Sequence, residues 1–419
     1  MGALAAGIGT LAGTAARAGD STIDFKYLFY GESDGRTQVS NPELYFQHQF
    51  GEKGQLSFLF SYDAISGASP TGAGPTLDAT TSASGTSAIG EIPMASYQDT
   101  RKAISASYMR RLGSHLPSLT LSYSRESDYL SRGASLVDSW ELFGGRSTLH
   151  YGVGGTSDEV EPVNTDEQLP KSSLAFSAGW TQILGPRDLL DVSIGIDNLS
   201  GYLTDPYKVV SIGTETVPEV RPDSRSRNTV VFKYGHYFLS RGALKTAYRY
   251  YWDDWGVKAQ TLDLIYDQRI GRRMILTPQL RYYRQGSAEF FAYQYQSPQL
   301  YMTSDYRLSA FWSWLAGIGL TVELSDSVSL NVVANYMNQT GIDRIEPSAV
   351  TPAAVSGGIS GQAVRARRGA LLLGGRRTRV LGEDGGGDDG GGEGGSSPQS
   401  ISPADMRVLT VTAGFSVRF

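Results

Sequence analysis

The sequence predicts an all-β fold, a transmembrane antiparallel β-barrel of about sixteen strands with short periplasmic turns and long external loops. Three observations predict it. Apolar and polar residues alternate from Thr22 onward, the period of a strand with one greasy face. Tight turns alternate with long polar connections, as in a barrel whose turns lie on one side of a membrane and whose loops lie on the other. The chain closes on an alternating strand that ends in an aromatic residue, Phe419.

The chain starts on a small, apolar, glycine-rich stretch, Ala3 to Ala16, followed by Ala16, Arg17 and Ala18 before Gly19. This reads as the apolar region and A-x-A cleavage site of a signal peptide over residues 1–18, with the barrel over 19–419. The basic flank usual before such a stretch is missing, and a plain Ala/Gly leader is the alternative. No run of about 18 apolar residues occurs, so membrane-spanning helices are excluded. A barrel strand needs only about 10 residues and shows every second one to lipid, so the mean hydropathy of −0.24 does not oppose a membrane location. The absence of Cys removes disulfides and thiolate chemistry, and a net charge of −5 argues against nucleic acid as a partner.

Alternation places the first eight strands near 22–31, 42–50, 54–64, 98–112, 117–130, 134–143, 147–158 and 171–184. The next eight fall near 188–203, 226–239, 243–253, 258–270, 274–286, 305–324, 328–340 and 406–419. Leu190, Val192, Ile194 and Ile196 illustrate the pattern, sharing one face opposite Asp191, Ser193, Gly195 and Asp197. The long connections are 65–97, 159–170, 204–225, 287–304 and 341–405, and a short external turn is placed near Ser131 and Arg132. Tyr248, Tyr250, Trp252, Tyr282, Trp312, Trp314 and Tyr336 cluster towards strand ends, where an aromatic girdle meets the membrane–water boundary.

In the last strand Leu409, Val411, Ala413, Phe415, Val417 and Phe419 form one apolar face. This ending resembles the C-terminal signature of bacterial outer-membrane barrels. The resemblance implies that Phe415, Val417 and Phe419 serve recognition by the barrel-assembly machinery and insertion into the bacterial outer membrane. Two further segments, Ser61 to Pro70 and Ser124 to Tyr129, resemble an uncharacterised family of outer-membrane proteins known as a domain of unknown function. That resemblance covers most of Thr22 to Gly341 and implies a barrel with no assigned activity. Its members are encoded near flavin-transfer and thioredoxin-like proteins, so the resemblance points to a periplasmic redox association.

Several groups are candidates for function. Asp63, Glu126 and Asp128 fall near strand ends on the long-loop side, opposite apolar faces, and so face the lumen. They form either an acidic constriction that selects cations or a bracing network with Arg101, Arg125 or Arg132. Lys245, Arg249, Arg269 and Arg281 face the interior among Asp253, Asp263 and Asp267. They set a transverse field across the pore or neutralise one another. The acidic, glycine-rich run from Gly382 to Gly395 lacks the apolar spacing of a calcium β-roll and reads as a solvated loop. The arginines of 365–379 offer a surface for lipopolysaccharide phosphates or for that acidic run. No nucleophile elbow, Walker loop or zincin motif is present, and His150 stands as a lone inward imidazole, so no enzyme, cofactor or metal site is expected. The expectation is a porin-like channel or conduit for small solutes; the alternative is a non-catalytic scaffold housing a periplasmic partner.

Overall fold

A strand in a bilayer has no water to satisfy its backbone, so a sheet that crosses one must close on itself. The computed structural model shows that closure. It describes residues 21–345 and 400–419, except 52, 74–79, 83–84, 88–91, 164, 166 and 214. In chain order the strands are β1 (Ser21–Glu32), β2 (Gln38–Phe50), β3 (Gly54–Pro70), β4 (Thr80–Ser82), β5 (Gly85–Ser87), β6 (Met94–Arg110) and β7 (Ser118–Arg125). They continue as β8 (Tyr129–Leu142), β9 (Ser147–Val160), β10 (Leu169–Gly185), β11 (Asp188–Gly201), β12 (Val209–Ile212), β13 (Glu215–Pro218) and β14 (Ser224–Tyr237). The last are β15 (Gly242–Asp253), β16 (Lys258–Ile270), β17 (Met274–Gln285), β18 (Phe311–Glu323), β19 (Val328–Gly341) and β20 (Met406–Arg418).

Sixteen of these form one closed antiparallel barrel, while β4–β5 and β12–β13 are separate hairpins inside the long loops. Closure is made by β1 on β20, with Phe25 opposite Phe415 and Ile23 opposite Val417. The expected strand number and order hold, and most boundaries agree to within about four residues. Three details differ. The external turn placed near Ser131 and Arg132 lies instead at 126–128, where the Glu126 amide donates to the Tyr129 carbonyl at 2.7 Å. The strand expected from residue 305 begins at Phe311, because Tyr306–Leu308 forms a 3-10 turn capped by Asp305. β3 and β6 run further than expected, to Pro70 and from Met94, and stay paired above the membrane.

Register fixes which residues meet lipid, since one step moves every side chain to the other face. Leu264, Leu280, Ile318 and Leu330 point outward and are exposed, as are Phe415 and Phe419. The expected girdle aromatics Tyr248, Trp252, Tyr282, Trp314 and Tyr336 are exposed on the same outer face. Neighbouring rings touch along it: Tyr250 lies 5.6 Å from Trp252 and Trp314 lies 5.6 Å from Tyr336. On the short-turn side Gly271 adopts φ +62°, a left-handed conformation that lets β16 reverse tightly into β17.

A dry core exists at one end only. Among the described residues every buried apolar side chain lies in an external loop or within two residues of a strand's external end. Trp255, Val257, Ala288 and Leu308 form one cluster, Val210, Tyr295 and Met302 a second, and Tyr306, Phe311 and Ala404 a third. The signal-peptide region, most of loop 342–405 and both its Arg-rich and its Asp/Gly-rich runs lie outside the described residues.

The outer face is therefore the part most sensitive to charge. Ile318→Arg should destabilise the folded barrel by about 2–4 kcal/mol, the cost of an arginine facing the middle of the bilayer. Urea unfolding in lipid vesicles measures this, and an Arg tolerated at 318 without loss contradicts the assigned register.

Candidate functional site

The inner wall carries the charges that alternation assigns to it, and the register pairs them. Asp63 stands opposite Arg101 and binds its guanidinium, with Asn41 as a second donor to the same carboxylate. Asp263 stands opposite Arg281, 2.5 Å away, and Lys245 reaches Asp267 at 2.5 Å. Arg269 meets Glu323 at 3.0 Å, and Arg225 meets Asp253 at 2.5 Å. Asp197 pairs with Arg227, and Asp191 with Lys233 at 3.4 Å. Between the two readings of the basic group, local neutralisation accounts for all but Arg249. Arg249 has no carboxylate within ion-pair distance among the described residues and lies over the Tyr251 ring, 5.7 Å from its centre.

Glu126 and Asp128 sit differently from expectation. They occupy the turn between β7 and β8 at the external mouth rather than the strand wall, because the chain reverses about five residues earlier than alternation suggests. Neither Arg125 nor Arg132 braces them. Both lie on the outward parity of Tyr123 and Leu136, and Arg132 binds Glu159 at 2.9 Å instead. Oxygens of Asp99, Glu126 and Asp128 all lie within 4.8 Å of one another, a spacing at which hard oxygen ligands can share a cation. Burial raises the Glu126 carboxyl above its ordinary value, and Asp99 adds to the rise while Arg101 opposes it. Asp128 also accepts a hydrogen bond from the Tyr207 hydroxyl, so the loop after β11 reaches this turn.

That loop is part of a cap that the alternation pattern could not reveal. β3 and β11 are the third and ninth strands around a ring of sixteen, which is about 30 Å across. Yet Lys208, in the loop after β11, donates to Ser69 Oγ at 2.7 Å and to the Pro70 carbonyl at the end of β3. The loop must run over the opening to do so. Gly72 marks the crossing: at φ +93°, a Cβ there would stand 2.2 Å from the Val209 carbonyl. The Val209 amide donates to Thr71 beside it at 3.0 Å.

Residues 286–310 lock onto the same loop. Val220 and Met302 exchange backbone hydrogen bonds, at 3.0 and 2.8 Å. Arg221 lies 2.6 Å from Glu219 and 2.8 Å from Asp305, and Arg307 lies 2.5 Å from both Asp305 and Asp205. Thr303 donates to Glu219 at 2.6 Å. Burial alone would raise Asp305, but Arg307 and Arg221 overcome it and hold the carboxyl well below the carboxylate range. Asp205 is lowered too, its burial outweighed chiefly by Arg307. Glu219 goes the other way, with burial dominating over Arg221 and the Thr303 hydroxyl.

His150 is not alone either. Its Nδ1 lies 2.9 Å from Ser139 Oγ and its Nε2 3.1 Å from Thr181 Oγ1, and Thr181 donates to Asp191 at 2.7 Å. Because Thr181 spends its hydroxyl proton on Asp191, its oxygen accepts from His150 Nε2. Ser139 and His150 are direct register partners, so strand pairing was the signal that sequence reading lacked. The surrounding amides belong to the barrel ladder.

The cap's stability follows its ionisation. A lowered acid stabilises above its ordinary value and loses that contribution as pH falls through its shifted value. Glu219 has the opposite sign, its contribution falling away as pH rises through its raised value. Asp305→Asn should cost the cap about 3–5 kcal/mol at neutral pH by removing the buried carboxylate that Arg221 and Arg307 share. Hydrogen-exchange protection should drop in 202–223 and 286–310 while the barrel strands keep theirs. In the unaltered protein the same loss should begin as pH falls below 3.8, the ordinary aspartate value.

The sequence matches the family described as Protein of unknown function (DUF3570) over residues 2–177 and 165–365. No curated protein matches it. Among solved structures it is similar to a bacterial polysaccharide outer membrane secretin, at 7% identity and a TM-score of 0.48, over 97% of this chain and 100% of that one. It is similar to CdiB from Acinetobacter baumannii at 9% identity and a TM-score of 0.45, over 95% of this chain and 60% of that one. Its likeness to the siderophore receptor PirA from Pseudomonas aeruginosa has 9% identity and a TM-score of 0.40, over 80% of this chain and 59% of the receptor, so it spans about three fifths of that protein. With a closed sixteen-strand wall, an apolar outside and a charged inside, the chain is a bacterial outer-membrane β-barrel, and it belongs to the DUF3570 family.

Proposed function

We propose that the protein is a porin-like conduit for small hydrophilic solutes, with its external entrance narrowed by the folded loops. One observation carries this reading: among the described residues the inner wall within the membrane has no dry core. Leu59, Val137, Val231, Ile265 and Leu315 share that wall, but none is buried, and they lie among charged pairs and small polar residues such as Ser118 and Ser193. A barrel of this strand number leaves room inside for water or for a plug. Among the described residues the plug-like material lies at the external mouth, where loops 202–223 and 286–310 interlock.

Charge selection then falls on the groups without a close opposite partner. Asp63, Lys245, Asp263, Asp267, Arg269 and Arg281 are each matched across one or two strands and present little net field. Asp99, Glu126 and Asp128 gather negative charge at the mouth, and Arg249 is one of several wall charges, Asp24 and Lys26 among them, with no ion pair among the described residues. A small cation is drawn to the entrance, and the paired wall lets it pass without a deep trap.

Planar-bilayer recording of the folded protein tests this. The unaltered barrel should conduct weakly, and both Gly72→Ala and Asp305→Asn, which loosen the cap, should raise single-channel conductance. Glu126→Gln with Asp128→Asn should reduce cation preference, read as a smaller reversal potential in a salt gradient. If neither the unaltered barrel nor the loosened variants conduct, the conduit reading fails.

A further inference from the structure

The outward face of the barrel carries a charge pattern that a conduit does not need. Lys102 on β6 and Arg125 on β7 are direct cross-strand partners. Lys102 shares its face with Ile104 and Tyr108, and Arg125 shares its face with Leu121 and Tyr123, all exposed to the outside. Both charged residues are exposed, and neither has a carboxylate within ion-pair distance among the described residues. Partners directly opposite have Cβ atoms about 5 Å apart, and like charges in that position destabilise a sheet. Arg132 on β8 stands opposite Tyr123, one outward position below Arg125, and Glu159 matches it with a half-exposed ion pair.

The three cations thus lie within two strand spacings, about 10 Å. Tyr62 is the register partner of Lys102, and Tyr123 lies just beneath, so the cluster sits where the aromatic girdle meets water. The pattern recurs around the rim. Lys258, Arg284 and Arg407 are the other charged side chains on outward positions at the external ends of the barrel strands. Six bases against the single acid Glu159 is the reverse of a chain whose net charge is −5.

We propose that Lys102, Arg125 and Arg132 form a binding site for the phosphates of lipopolysaccharide in the outer leaflet. Their level on the wall is that of a lipid headgroup, and the aromatic and aliphatic side chains below them accept its acyl chains. An anion bridging Lys102 and Arg125 removes the repulsion that the bare pair carries, and Arg132 adds the guanidinium N–H groups that Glu159 does not take. The site faces away from the lumen, so it stands independently of the conduit reading.

The test uses the folded full-length protein in detergent, with binding of labelled lipopolysaccharide followed by fluorescence. Lys102→Gln with Arg125→Gln should weaken binding about thirtyfold, about fivefold for each cation removed near a charged lipid surface. Lys102→Arg with Arg125→Lys should retain it. Heat-modifiable migration confirms that each variant is a folded barrel; should the double glutamine variant not fold, Arg125→Gln alone carries the test at about fivefold. Enzymatically dephosphorylated lipopolysaccharide should bind no better to the unaltered protein than to the glutamine variant. Equal binding of the dephosphorylated lipid, full binding by the glutamine variant, or displacement by millimolar inorganic phosphate alone would each overturn the assignment.

Discussion

Everything in this molecule depends on a backbone constraint. Within lipid each N–H and C=O must find a partner in the protein, and a sheet meets that demand only when its last strand pairs with its first. Here β20 completes β1 over Thr22 to Glu32, and no edge remains in the sixteen-strand ring. Closure then dictates chemistry. Each strand has a lipid side and an inner side, so greasy and polar residues must alternate, and ionisable groups concentrate at the inner wall and the rims.

The inner wall handles its charge by proximity. Asp63 with Arg101, Asp197 with Arg227, Asp191 with Lys233 and Asp263 with Arg281 are all register partners, so the pairing is built by strand order rather than by long-range packing. Most of these groups retain contact with solvent, and exposed pairs of this kind are worth roughly 0–1 kcal/mol each. Their effect is to match charge locally along the wall, not to hold the barrel together.

The cap works by the opposite logic. Asp305 and Glu219 are almost fully buried, and they persist as charged or hydrogen-bonded groups because Arg221 and Arg307 are brought to them. The surrounding apolar clusters exclude water and strengthen these contacts. A rigid, dry lid over a wet wall follows from placing the long loops on one side only. The acidic turn at Glu126 and Asp128 is tied to that lid through the Tyr207 hydroxyl, which donates to Asp128.

Alternation, turn spacing and the closing strand were enough to determine the barrel, its strand number and the inward side of Asp63, Lys245, Arg249, Asp263, Asp267, Arg269 and Arg281. These are local properties, since a period of two residues assigns a face without reference to any distant part of the chain. The partners were less legible. Seeing that His150 meets Ser139 and Thr181, or that Arg125 turns outward beside Lys102, requires the register between neighbouring strands. The residues of the cap, Lys208, Glu219, Arg221, Asp305 and Arg307, left no periodic trace because loops have none. Only the closed ring brings the ends of β3, β11 and β17 around one opening, and only then can loops 202–223 and 286–310 meet across it.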